Sequence, residues 1–515
     1  MPPATSPYAQ RWKALGVLAL SLFVVTVGNT ILNVGLPTIR NELGASSSQL
    51  QWIVDGYLLV FAGLLLTAGS LGDRFGRRRA LVTGLLVFAA GSALAALSGS
   101  SSELIASRAL MGLGAAGIMP TTLSILTNIF PAQERAKAIA AWAAVSGLGI
   151  AAGPISGGWL LEHFSWNSMF LVNLPIVAIA LAGVALVVPD SRDPAKPRLD
   201  LAGVAFSITG LGAIVWGLIE APERGWGDPA IVGAFALGIA VLTAFVAWER
   251  HTAHPMLDVR VFRNLRFSAA SLSVTFVFFS LMGVLFFLTS YMQAVLGYTP
   301  LGTGVRVLPV AFGLVAASKL SVKLVQRVGT KLVVAGGLVT VASALSMYTG
   351  FGVDTGYPSV ALALLGMGAG MGLAMAPATE AIMGALPKAK AGVGSAMNDV
   401  VREVGGTLGV AVLGSFLSSG FSSAMDGSVA GLSPEQAHAA SDSVGAAHEV
   451  ASHLDATAAS TLIDASNQAF VDAMATTATI AAAVALIGAL IAVAFLPSRA
   501  RSTGLAAGAA LPAVG

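Results

Sequence analysis

GSLGDRFGRRR, Gly69 to Arg79, is wedged between two long apolar segments and decides how the remainder of the chain is read. It has the make-up of a tight hydrophilic connection between two membrane helices. Gly72 and Gly76 let the helix ends approach closely, and Asp73 sits where a helix dipole or an arginine can hold it. Arg74, Arg77, Arg78 and Arg79 suit a cytoplasmic loop, where lysine and arginine accumulate. Charge alone would fix only topology; the spacing of Gly69, Gly72, Asp73 and Gly76 asks for a shaped turn.

Outward from this loop the chain is apolar throughout. Its 515 residues are 56% hydrophobic and 10% charged, with a mean hydropathy of +0.81, which excludes a soluble globular protein. Fourteen stretches are long enough to cross a bilayer: 14–38, 51–72, 80–98, 103–126, 137–160, 168–188, 200–220, 230–248, 267–291, 303–325, 332–352, 357–380, 391–418 and 470–496. The net charge of +3 comes from basic residues dispersed among short loops, which predicts no nucleic-acid footprint. With no cysteine there is no disulfide or thiol chemistry, and neither a P-loop nor a nucleophile or metal cluster in the spans points to an enzyme or a cofactor. The first span follows Arg11 and Lys13 without a small-residue cleavage site and is expected to be retained.

Loop charges predict the orientation. Taking alternate connections, one set holds twenty-one lysines and arginines, among them Arg11, Arg74, Arg135, Lys196, Arg198, Arg260, Arg327, Lys388, Arg499 and Arg501; the other holds only Arg40 and Arg224. Both termini are therefore expected in the cytoplasm, in a multi-pass protein of a bacterial inner membrane. The two halves also repeat. QRVGTK (Gln326 to Lys331) resembles DRFGRR (Asp73 to Arg78), and LAMAPATEAIMGALP (Leu373 to Pro387) resembles GIMPTTLSILTNIFP (Gly117 to Pro131), at an offset of about 255 residues. The expected organisation is a six-helix bundle over 1–190, two inserted helices over 191–250, a second six-helix bundle over 251–500 and a cytoplasmic tail at 501–515. The segment at about 420–468 has no lysine or arginine and reads as an external loop with short helices, one starting at a Ser433–Gln436 capping box.

Further motifs name a family. Helix 5 carries GLGIAAGPISGG, whose small residues let helices pack backbone to backbone and whose proline bends the helix. Its Gly149, Gly153, Pro154, Gly157 and Gly158 resemble the antiporter motif of drug:proton exchangers in the major facilitator superfamily, and the Gly69–Arg79 loop resembles that superfamily's signature loop. Arg108 with MGLGAAG resembles the family's intramembrane arginine motif, and NTILNVGLP (Asn29 to Pro37) and Ala391–Ser415 resemble fourteen-span exporters of the EmrB/QacA type. The resemblance implies the all-α major facilitator fold with two six-helix bundles and two inserted helices. It also implies alternating access around a site between the halves and proton-coupled export of amphipathic drugs or antibiotics. Export of an endogenous metabolite or lipid is the alternative, and a non-transporting membrane sensor a weaker one. The expected partners are an amphipathic small molecule, protons and the lipid bilayer, with the chain a monomer. One departure stands out: where the family commonly has an aspartate two residues before the threonine matching Thr30, this chain has Gly28.

Ionisable residues inside spans are expensive and mark function. No histidine lies in a span, so any proton carrier is a carboxylate. Asp55 and Arg108 lie at similar depths on helices 2 and 4; they either pair, with Asp55 standing in for the missing acid, or both snorkel outward. Asp399 is one turn from Arg402 and Glu403, which suits either a static network or coupling. Glu380, beyond Pro377 and with no cation one turn away on its own helix, is the favoured carrier; Lys319 either pairs with it or snorkels. Phe276, Phe279 and Phe286 share a face of helix 9 beside Tyr291, forming either an aromatic wall for planar ligands or a lipid-facing surface. Asn29, Asn33 and Gln293 add hydrogen-bonding groups for a substrate.

Overall fold

The structure, a computed structural model, describes residues 10–45, 47–192, 200–252, 255 and 257–497. The 501–515 tail, Lys196, Arg198, His254, Arg499 and Arg501 lie outside the described residues, as do the side chains of Asn33, Pro37, Arg40 and Lys388. Among the described residues, fourteen helices have the length and apolarity of membrane spans. They are α1 Arg11–Thr30, α2 Trp52–Phe75, α3 Arg77–Leu97, α4 Ser101–Ile129, α5 Ala132–His163, α6 Ser168–Val187, α7 Leu201–Ala221, α8 Pro229–His251, α9 Leu265–Val295, α10 Leu301–Val328, α11 Thr330–Gly350, α12 Tyr357–Gly384, α13 Ala391–Met425 and α14 Ala456–Phe495. A helix satisfies its own backbone, which is why long runs of Leu, Ala and Val take this form in lipid. The chain is a multi-pass membrane protein.

Local chemistry sets the helix ends. Gly76, between α2 and α3, has φ of +112°, and Gly329, between α10 and α11, has φ of +87°. The two glycines occupy equivalent places in the repeated DRFGRR and QRVGTK loops, where only a residue without Cβ reverses the chain so tightly. Ser100 caps α4, accepting from the Glu103 N–H, while Glu103 accepts from the Gly99 N–H. The Ser433–Gln436 capping box is present and starts a short helix, Pro434–Asp442.

Three boundaries differ most from the sequence reading, the first being that of α1, which ends at Thr30 rather than at 38 and is followed by a short helix, Leu32–Leu43. Helix α13 continues to Met425, and α14 starts at Ala456 rather than near 470. At about 1.5 Å per residue, the 40 residues of α14 run well past a hydrocarbon core about 30 Å thick. Polar residues in 456–470 hide this extension from a hydropathy window, but they tolerate helix, and Asp455 caps it by accepting from the Thr457 and Ala458 N–H groups.

Packing follows the repeat. Helices α2 with α4 and α3 with α4 pair closely in the first half, and α10 with α12 and α11 with α12 pair likewise in the second; α1 packs on α5 as α9 packs on α13. Two hydrophobic cores result, one centred on α1–α6 and one on α9–α14. The halves meet where α2 lies on α13 and α5 lies on α10, while α7 and α8 pair with each other beside α2 and α13.

Candidate functional site

At the loop end of the interface, Asp73 is 4% exposed and joins the halves. Its Oδ1 accepts from Arg77 Nε at 2.8 Å, Arg77 Nη2 at 2.6 Å and the Gly392 N–H at 2.8 Å, while Oδ2 accepts from the Val393 N–H at 3.2 Å. Gly392 and Val393 open α13, so a first-half carboxylate satisfies orphan donors and meets the positive dipole end of a second-half helix. Arg77 also donates to Ala389 O at 3.0 Å. The glycines of the loop make this approach possible. A Cβ on Gly69 would stand 2.5 Å from Gly392 O, one on Gly72 would stand 3.2 Å from Thr121 Cγ2, and one on Gly76 would stand 2.9 Å from Asp190 Oδ1. Arg78 ties the loop to Ala185 O at 2.9 Å, and Arg74 lies over the Phe75 ring. In the second half the matching Gln326 is exposed, so the repeat does not duplicate this contact.

Two turns further along α13 lies a buried network. Arg402 Nη1 is 3.6 Å from Asp399 Oδ1, Arg402 Nη2 donates to Ser146 Oγ of α5 at 3.2 Å, and the guanidinium stacks on Phe278 of α9 and Trp142 of α5. Trp142 Nε1 donates to Thr122 Oγ1 of α4 at 3.2 Å. On the other side Asn398 Nδ2 donates to Asp399 Oδ1 at 3.3 Å and Thr379 Oγ1 of α12 donates to Asn398 at 3.0 Å. The chain of contacts thus runs from α4 through α5 and α13 to α12, crossing from one half to the other. Asp399 Oδ2 and Arg402 Nη1 have no hydrogen-bond partner among the described residues. Glu403 is half-buried, next to Arg402 in sequence, with Tyr57 of α2 and Arg402 both within range of its charge.

The remaining sequence candidates scatter. Glu380 is half-buried, and the cations acting on it are Arg135 of α5 and Arg266 of α9 rather than Lys319, which is exposed on α10. Arg108 does not pair with Asp55. It is fully buried, donates to Ile53 O at 3.1 Å and Gly28 O at 3.3 Å, and lies over the Tyr57 ring. Arg108 instead reaches the backbone at Gly28, the position where the resemblance called for an acid. The aromatic residues of α9 do not form one wall. Phe276 packs on Gly488 of α14, Phe279 is buried in the second core, and Phe286 is 51% exposed. Tyr291 donates to Gly352 O at 2.8 Å and stacks on Phe351. Asn29 and Gln293 are half-buried.

The antiporter motif serves helix packing. A Cβ on Gly149 would stand 2.8 Å from Thr26 Cβ, one on Gly153 would collide with Thr30, and one on Gly157 would stand 2.9 Å from Ile31 O, so α5 lies directly on α1. Gly158 and Pro154 face α10, where a Cβ on Gly158 would be 3.6 Å from Leu301 Cβ. The residues missed in the sequence are Trp142, Ser146, Phe278, Arg135 and Arg266. Trp142 and Ser146 are one turn apart on α5, a visible pair, but nothing local pointed them at Arg402.

Fourteen spans in two like halves, joined by breakable polar contacts at their interface, define a transporter. The chain belongs to the Major Facilitator Superfamily, whose family model matches residues 18–410. It is 38% identical to the multidrug efflux pump LfrA of Mycolicibacterium smegmatis over 95% of this chain and 97% of that protein. It is 34% identical to the tetracenomycin C resistance and export protein of Streptomyces glaucescens, over 95% of this chain and 92% of that one. Among solved structures, the human organic anion transporter MFSD10 superposes with a TM-score of 0.64 at 14% identity, over 96% of this chain and 100% of that chain. The proton:xylose symporter XylE superposes with a TM-score of 0.62 at 14% identity, over 96% and 97% of the two chains. Likeness at that identity carries the fold alone.

Proposed function

We propose that this protein exports amphipathic drugs or antibiotics across a bacterial inner membrane in exchange for protons, with both termini in the cytoplasm and the chain acting as a monomer. The observation that carries the coupling is the Asp399–Arg402 pair, buried at the junction of the halves and held partly by aromatic rings. Loading a proton on Asp399 removes its attraction for Arg402, which then stays with Trp142, Phe278 and Ser146; releasing the proton restores the pair. The alternation of those two arrangements would bias how α13 sits on α5. Glu380, between Arg135 and Arg266, is assigned to the cytoplasmic gate with Asp73 rather than to proton transport. Drug export is supported by the names of the relatives, and the asymmetry of this chain's loop charges, twenty-one lysines and arginines against two, supports the orientation. One proton moving down 100 mV supplies about 2.3 kcal/mol, enough for a severalfold to tens-fold gradient of a neutral compound. Export of a self-made compound is the second reading, favoured by the tetracenomycin relative.

The test uses proteoliposomes with an imposed pH gradient and a panel of cationic, neutral and acidic amphipaths. Uphill accumulation should vanish when a protonophore collapses the gradient. Asp399→Asn should lose that accumulation while retaining substrate-for-substrate exchange, which needs no proton release. Accumulation by Asp399→Asn with an unchanged pH dependence would move the carrier to another carboxylate. Accumulation that ignores the protonophore would overturn proton coupling itself.

A further inference from the structure

Transport as described gives no task to the inserted helices α7 and α8. Between them and α2 lies a groove of about 620 Å³, lined by Leu59, Gly63, Ile208, Gly212, Trp216, Gly233 and their neighbours. Thr209 and Trp216 supply its only side-chain polar atoms. Such a volume falls within the ~300–1,000 Å³ of small-molecule sites. Its width comes from glycine: a Cβ added to Gly212 or Gly233 would meet no atom within 4 Å. The groove runs from the middle of α7 toward the α7–α8 connection, since its lining on α7 is Ile208 to Trp216 and its lining on α8, Ala230 to Leu237, is the first part of that helix.

At that end stands a polar group of a different kind. Arg224 lies beyond the last residue of the α7 span, its guanidinium 5.7 Å from the ring of Trp216 and its side chain 50% exposed. It bonds Glu220 at 2.7 Å, and with Glu223 and Asp228 in the same connection the local charge is acidic overall, which suits a headgroup that carries a cation beside its phosphate. Along one line the protein therefore offers an apolar slot, then an amphipathic indole, then a guanidinium. A phospholipid presents the matching order of acyl chain, glycerol region and phosphate. Tryptophan favours the interfacial level, and guanidinium binds phosphate oxygens in a forked geometry. Arg224 and Arg40 are also the only lysines or arginines in the connections on that side, so the match is local rather than a general basic surface.

We infer that the groove formed by α2, α7 and α8 is a binding site for one zwitterionic phospholipid, its acyl chain beside Gly212 and Gly233 and its phosphate on Arg224. A chain seated there would fill the surface between the inserted pair and α2.

Native mass spectrometry of the full chain in detergent, titrated with palmitoyl-oleoyl phosphatidylethanolamine, reads this without any transport step. A failure of drug export therefore leaves the result standing. The wild-type chain should hold one lipid more tightly than the rest. Filling the slot with Gly212→Leu and Gly233→Leu together, at positions where the first added carbon meets open space, should weaken that lipid at least about tenfold. The melting temperature, measured alongside, should stay within a few degrees. Arg224→Gln should weaken the phospholipid but not dioleoylglycerol, which has the chains and no phosphate. Equal lipid affinity in wild type and the filled variant would overturn the site. A wild-type dimer that the filled variant dissociates would also overturn it, assigning the groove to a second copy.

Discussion

At Asp73 a single carboxylate accepts hydrogen bonds from four donors, two on Arg77 and two at the start of α13. Asparagine has nearly the same shape, but one of its two terminal atoms is a donor and it carries no charge. Asp73→Asn would thus leave Arg77, only 1% exposed, as a buried cation without its counter-charge. Removing one member of a buried pair costs about 3–5 kcal/mol. The expected outcome is a lower melting temperature and sharply reduced transport at normal membrane levels. Arg77→Gln in the same chain should recover part of the stability, because the two changes share one interaction. Normal transport by Asp73→Asn at equal expression would remove the residue from the gate. The Asp73–Arg77 part of this site was legible because its residues are neighbours in sequence, whereas the Gly392 and Val393 donors, 319 and 320 residues away, were not. Arg108 shows the opposite case: depth along a helix is written in the sequence, whereas the side it faces depends on how α1, α2 and α4 are rotated, and that is settled only by packing.

Helix α5 carries two kinds of information along its length. Toward the end nearest Asp73, Trp142 and Ser146 meet Arg402; further along, Gly149, Gly153 and Gly157 press onto Thr26, Thr30 and Ile31 of α1. The glycines were readable as a packing face because their spacing repeats within one helix. The partners of Trp142 and Ser146 were not, since Arg402 lies 256 residues from Ser146 and local periodicity holds no record of such contacts. The aromatic residues of α9 make the same point, for a helical face can be drawn from sequence without revealing whether α14, α13 or lipid covers it. The packing role predicts a clear asymmetry between glycines. Gly153→Val must push α5 away from Thr30 and Ile31 and should cost about 1–3 kcal/mol by overpacking. Gly336→Ala, where an added Cβ meets nothing within 4 Å, should stay within about 0.5 kcal/mol. Thermal melts of the two variants in the same detergent check this, and equal losses would mean that α5 does not depend on its close approach to α1.

Across the whole molecule, each half centres on its own hydrophobic core, while the contacts between halves add small residues and polar groups to a few apolar ones such as Val393, Val400 and Leu314. That division lets the halves reorient as units, because exchanging a few hydrogen bonds is less costly than opening a core. The repeat, the number of spans and the shaped loops were legible because bilayer thickness and glycine backbone freedom act locally. The replacement of Asp73 by Gln326 was legible as well; what it leaves out of the second half was not, namely the contact of a loop carboxylate with the start of a helix in the other half. At the end of α5 away from Asp73, contact between halves is made by Gly158 against Leu301 and by Pro154 against Gly304. If transport requires these ends to separate, tying them together must stop it. The chain contains no cysteine, so a single introduced pair can form only one intramolecular disulfide. A Cβ on Gly158 would lie 3.6 Å from Leu301 Cβ, inside the ~3.5–4.5 Å window that a disulfide needs. The variant Gly158→Cys with Leu301→Cys should transport when reduced, lose nearly all turnover when oxidised, and recover on adding reductant. Each single variant should be indifferent to oxidant. Full cross-linking with undiminished transport would mean that α5 and α10 stay together throughout the cycle, and the opening would then have to lie between α2 and α13.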